Sequence, residues 1–142
     1  MLAMMMTALL AGLAPAQTAE PYAGTWLAEF GGKAFVRLEL RSSGNTLAGR
    51  IALGNIEVDS DGRVKAANEA PDRLTPIFDV VVRDSGLTFS RKDGNDTDRF
   101  EMRVDTGDQA ELQFLPDEAT LKELAESGIA VPKPVATKRV AR

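Results

Sequence analysis

From Gly24 to Phe114 apolar and polar residues alternate with a period of two, and turn signals interrupt the alternation at short intervals. Few folds satisfy that pattern. Residues two apart share a face of an extended strand, whereas a helix repeats every ~3.6 residues. Thr25 to Phe30 places Trp26, Ala28 and Phe30 on one face, and Gly31-Gly32 closes it as a hairpin. Lys33 to Arg41 sets Ala34, Val36, Leu38 and Leu40 against Phe35, Arg37, Glu39 and Arg41. After the Ser42-Ser43-Gly44-Asn45 turn, Thr46 to Leu53 points Leu47, Gly49, Ile51 and Leu53 inward. Ile56 to Val58 and Arg63 to Ala66 read as two short strands around Asp59-Ser60-Asp61-Gly62, and Asn68 to Arg73 as a loop. Ile77 to Arg83 carries Phe78, Val80 and Val82 on its inner face, with Ile77 and Val81 outward. Leu87 to Lys92, Arg99 to Val104 and Ala110 to Phe114 complete the series, joined by turns at Asp93-Gly94-Asn95-Asp96 and Asp105 to Asp108.

About eight strands in meander order, each with one apolar face, predict an all-β fold. We expect an antiparallel up-and-down barrel, since closure removes the exposed edges of an open meander. A two-sheet sandwich is the alternative. One short C-terminal helix follows: Asp117 caps it, Leu121, Leu124 and Ala125 share a face, and Gly128 ends it, with Ile129 at the apolar position of a Schellman motif. This helix is expected to close the domain, which spans 24–128. Residues 129–142 follow as a flexible basic tail holding Lys133, Lys138, Arg139 and Arg142 without an acid.

The start of the chain reads differently. Met1 to Ala16 is uncharged and mostly apolar, is too short to span a bilayer, and ends in Ala14-Pro15-Ala16, an A-x-A-like cleavage site. We expect a signal peptide at 1–16 and a linker at 17–23, hence a periplasmic or extracellular bacterial protein with no stable membrane anchor. A buried N-terminal helix is the alternative, disfavoured by Gly12 and Pro15.

Composition narrows the chemistry. The chain has no His and no Cys. Imidazole bases, Ser-His-Asp triads, thiol nucleophiles and the usual zinc ligand sets are therefore excluded. A net charge of −4 speaks against nucleic acid as a partner. Glu57 to Gly62 resembles the start of a calcium loop, but Asn68 stands where the bidentate Glu would be. The acids of 93–98 suit a hairpin turn without a metal. The expectation is thus no enzyme, no catalytic residues, no metal and no cofactor, with an enzyme relying on a carboxylate pair as the alternative.

Gly24-Thr25-Trp26 opens the first strand. A G-x-W there, a strand meander and a following helix resemble the lipocalin and wider calycin pattern over Gly24 to about Gly128. The resemblance implies a tryptophan packed across the closed end of the barrel and a small apolar ligand entering the open end. It also implies a cation stacked on Trp26. No Arg directly follows the last expected strand, so Arg99 or Arg103 would supply it. Small secreted protease inhibitors share a G-x-W-led barrel, and the resemblance does not separate the two.

The inward residues are large, so a barrel filled with its own side chains is one outcome and an apolar pocket near the mouth another. For the pocket the candidate residues are Trp26, Phe30, Phe89, Phe100 and Met102. Arg91 continues the inward parity and could meet a ligand carboxylate. The functional expectation is a monomeric, non-catalytic binding protein for a small apolar or amphipathic ligand. The alternative is a protein-interaction module, such as a protease inhibitor or envelope assembly factor. It would use an exposed apolar patch at Phe35, Ile77 and Val81.

Overall fold

A computed structural model describes residues 18–142. The expected signal peptide lies outside them. Ten strands and one helix follow a short 3₁₀ turn at Glu20–Tyr22. They are β1 (Gly24–Phe30), β2 (Lys33–Ser43), β3 (Thr46–Leu53), β4 (Ile56–Val58), β5 (Val64–Ala67), β6 (Thr75–Arg83), β7 (Gly86–Asp93), β8 (Asp96–Thr106), β9 (Gln109–Phe114), α1 (Glu118–Glu126) and β10 (Val135–Ala141). Eight of them close an antiparallel barrel in the order β1-β10-β9-β8-β7-β6-β3-β2, while β4 and β5 form a separate hairpin. The barrel expectation therefore holds and the sandwich does not form.

The barrel is closed by a segment assigned above to a flexible tail. β10 pairs with β1 through Thr25, Trp26 and Leu27, and with β9 from Val135↔Leu112 to Lys138↔Gln109. Its inward residues Thr137 and Arg139 are buried. The helix does not take this role. Asp117 caps α1 as expected, its Oδ1 accepting from Thr120 N at 2.8 Å, and Ile129 N donates to Leu124 O in a Schellman turn. Yet no residue of α1 is buried.

Two β-bulges shift the expected parity. On β2, Val36 pairs with Ala28 and Ala34 with Glu29, which leaves Phe35 as the extra residue. The bulge turns Phe35 inward beside Val36, and both are buried. On β6 the register slips between Phe78 and Val81, with Asp79 at φ 51. Val80 and Val82 keep the inner face, but before the slip the inner residue is Ile77, not Phe78. The outward assignments of Phe35 and Ile77 are thus corrected: one inserted residue reverses every side chain beyond it.

The core fills the half of the barrel away from the β1–β2 turn. Trp26, Leu38, Ile51, Leu87, Phe89 and Met102 are fully buried. Burial of an aromatic side chain as large as Trp contributes on the order of 5 kcal/mol before entropic costs. Ala19 and Tyr22 cover this end from outside, and Trp26 Nε1 donates to Tyr22 O at 2.9 Å.

Arg139 locks the same end. Its guanidinium lies 4.6 Å from the Trp26 ring centroid, the expected cation, supplied by β10 rather than by Arg99 or Arg103. Its nitrogens donate to Pro21 O, Ala23 O, Gly107 O and Asp108 Oδ1 at 2.6–3.0 Å. Gly24 explains the G of G-x-W. Its φ is +130, and a Cβ there would meet Ala141 O at 2.5 Å and Arg139 Cδ at 2.7 Å. Only a residue without a side chain lets β10 cross this close.

Candidate functional site at the barrel mouth

The opposite end is the mouth, where β3 and β9 finish and β6, β8 and β10 begin. An apolar cavity of about 250 Å³ opens there, lined by Phe35, Val36, Leu53, Ile56, Phe100, Leu112, Phe114, Pro132 and Val135, with Gly54, Asp98 and Lys133. Its floor is an aromatic ladder. Phe89 and Phe100 stack with centroids 5.4 Å apart and 24° between planes, and Phe114 continues upward 5.8 Å from Phe100. Phe100 and Phe114 line the cavity, and Phe89 backs Phe100 from within the core.

Three separate stretches of chain build the walls. β2 and β3 bring Phe35, Val36 and Leu53. The β4–β5 hairpin brings Ile56 and arches over the rim. Its roots are held by Gly54 N to Phe35 O and Ala70 N to Ala34 O, both at 2.8 Å. Its tip is held by Lys133 N to Gly62 O at 2.9 Å. A side chain at Gly62, where φ is +85, would collide with Val131 O. The Asp59 carboxylate shapes that tip, accepting from Asp61 N and Arg63 N. These bonds, that from Arg63 N first, hold its pKa below the usual carboxylate range. Asp59, within the calcium-loop-like stretch, thus acts as a turn former. Among the described residues no group of three or more His, Cys, Asp or Glu side chains is placed to hold a metal ion.

The six residues expected at the site separate. Phe100 lines the cavity. Phe89 and Met102 lie beneath it in the filled core, and Trp26 lies at the closed end. Phe30 sits on the rim, 39% exposed, beside a neighbouring cleft that Phe35, Arg63 and Lys133 share. Arg91 is at the mouth but engaged: Nε and Nη2 each reach Asp98 Oδ2 at 3.2 Å, and Asp93 is 3.8 Å away. Its charge is answered within the wall by Asp98, which itself lines the cavity. Lys133 is the cation that lines it. Buried side chains fill the closed end of the barrel, and the cavity opens only at the mouth.

Phe35, Ile56, Pro132, Lys133 and Val135 were not expected here. Phe35 is turned in by a bulge that no local motif announces. Val135, Thr137 and Arg139 face inward on β10, but two of the three are polar, so apolar/polar alternation does not reveal the strand or the arm before it. The exposed patch expected at Phe35, Ile77 and Val81 does not exist, since the first two are buried and Val81 stands alone at 41% exposure. No helix among the described residues is long and apolar enough to cross a membrane.

At the closed end, electrostatics yields a first prediction. The hydrogen bond from Arg139 holds the Asp108 pKa below the ordinary carboxylate value, and the nearby charges of Arg139 and Arg142 add to it. A depressed folded-state pKa stabilises the fold above the unfolded value, and the contribution disappears as pH falls through the folded value. Asp108→Asn should therefore be less stable than the wild type at neutral pH, and the gap should close in acid. Urea midpoints of both proteins across that range test it. A gap that persists once the wild-type carboxyl is protonated would assign the effect to packing instead.

No known protein family, curated protein or solved structure matches the chain.

Proposed function

We propose that the chain is an exported, non-catalytic, lipocalin-like binding protein whose mouth cavity takes a small apolar or amphipathic molecule. The observation that carries this reading is the cavity itself. It is lined almost wholly by apolar side chains, lies over a tightly filled core, and has one charged pair and one lysine at its edge. Small-molecule sites combine an apolar lining with a few polar groups in this way. At about 250 Å³ it falls just below the usual range of ~300–1,000 Å³, so the ligand is small or inserts only its apolar part. The Trp26–Arg139 stack at the closed end supports the likeness to lipocalins, and the export proposal rests on Met1 to Ala16.

Titration calorimetry with a homologous series of n-alkanols tests the reading. Each methylene that enters the cavity should tighten binding about fourfold, from ~0.8 kcal/mol per buried CH₂. The gain should stop once the space above Phe100 is full. Leu53→Trp, which puts an indole into the cavity from a half-buried position, should abolish binding while unfolding stays cooperative. Binding that ignores chain length, or that survives the indole, refutes the site. Native mass spectrometry of protein from its own host's export compartment should show a co-purifying mass released on denaturation.

A further inference from the structure

Between β9 and β10 the chain leaves the barrel and comes back at the same side of the mouth. It departs after Phe114 and returns at Val135, on two neighbouring strands, and both residues line the cavity. Both ends of the excursion are anchored. Leu115 N donates to Arg99 O at 2.9 Å on the outgoing side, and Lys133 N donates to Gly62 O on the returning side. What lies between is only loosely packed, with Leu124 half-buried and Val131 O against Gly62. No residue of α1 is buried, and Leu121, Ile129 and Val131 are 42%, 51% and 42% exposed. A helix of nine residues is marginal in water unless its apolar face finds a partner. Here an uncovered apolar face is tethered at both ends to the rim of an uncovered apolar cavity.

We propose that α1 and the Gly128–Val131 turn form a lid that closes on the mouth when an apolar ligand occupies it, laying Leu121 and Ile129 over the ligand. The inference rests on the mouth cavity being the binding site. The helix is about 13 Å long, and its tethers at Leu115 and Lys133 flank the neighbouring strands β9 and β10, as a hinged flap requires. Closure over a vacant cavity would leave the lid's side chains facing empty space, with no dispersion partner on that side. Closure over a ligand buries both apolar surfaces together, so occupancy sets the open–closed equilibrium. The proline-flanked returning arm is also tied to the tip of the β4–β5 hairpin through Gly62, which fixes the hinge on that side.

Stopped-flow release of N-phenylnaphthylamine from the mature chain tests the lid. The variants are Leu121→Asp and Ile129→Asp, whose positions are exposed in the open form, so urea midpoints should stay within experimental error of the wild type. Each should speed release by at least about tenfold, the factor expected when one buried apolar side chain is lost from the closed complex. Bound probe should also slow amide hydrogen exchange across residues 117–131. Release rates unchanged in both variants, with binding still abolished by Leu53→Trp, would overturn the lid and leave the pocket standing. No saturable probe binding by the wild type would overturn the pocket and the lid with it.

Discussion

Ending the chain at Pro134 is expected to abolish cooperative folding. The deletion removes β10, the strand that pairs with β1 through three register positions and with β9 through four. Each lost backbone hydrogen bond costs about 1 kcal/mol net. The deletion also strips Thr137 and Arg139 from the core and uncovers the Trp26 face. Together these losses rival the whole ~5–15 kcal/mol stability of a domain this size. The two edges left behind would be long and open to pairing with other copies, so aggregation should accompany the loss. Removing only Arg142, which is exposed and lies 3.7 Å from Asp108, should change stability by no more than ~0.5 kcal/mol. Urea unfolding followed by Trp26 emission decides the matter, because Trp26 is the single tryptophan and sits at 0% exposure. A cooperative transition in the truncated chain within 1 kcal/mol of the full chain would mean that β10 is dispensable.

The contrast with the tail expected from sequence shows what a one-dimensional reading captures. Strands joined by tight turns announce themselves, since alternation and glycine turns are local properties. β1, β2, β3, β7, β8 and β9 all fall where the pattern places them. β10 is separated from β9 by a helix and three prolines, and its inward residues are Val135, Thr137 and Arg139. A buried arginine reads as a solvated one until its acceptors are known, and these come from residues 21, 23, 107 and 108. The bulges at Phe35 and Asp79 are hidden for another reason. Inserting one residue reverses parity without changing composition. The site suffers from both effects. Phe100 was legible because it lies on a regular strand, whereas Phe35 needs a bulge, and Ile56 and Lys133 need contacts between distant segments. Trp26, Phe89 and Met102 face inward as the pattern places them but do not line the mouth cavity, since parity gives the face and not the height along the barrel axis.

Arg139→Ala should cost about 3 to 5 kcal/mol, a large share of the total, through the lost hydrogen bonds of a charged donor. The guanidinium combines hydrogen bonds to three backbone carbonyls, a stack on Trp26 and an ion pair with Asp108. The ion pair matters least, because the Asp108 side chain is 60% exposed and screened by water. The carbonyl bonds matter most. Hydrogen bonds from a charged donor are worth ~1.5–3 kcal/mol each, and the truncation leaves their acceptors facing a partly closed space. Arg139→Lys should recover less than half of the loss, since an ammonium cannot present the planar fork that reaches residues 21, 23 and 107 together. In the native state of Arg139→Ala, Trp26 emission should shift to the red as water reaches the indole. A loss below 1 kcal/mol, or full recovery by lysine, would show that the closed end is held by apolar packing alone. The cavity at the other end should be unaffected by either substitution, because neither Arg139 nor Trp26 lines it. Stability is concentrated at one end of this barrel, which leaves the other end free to stay open.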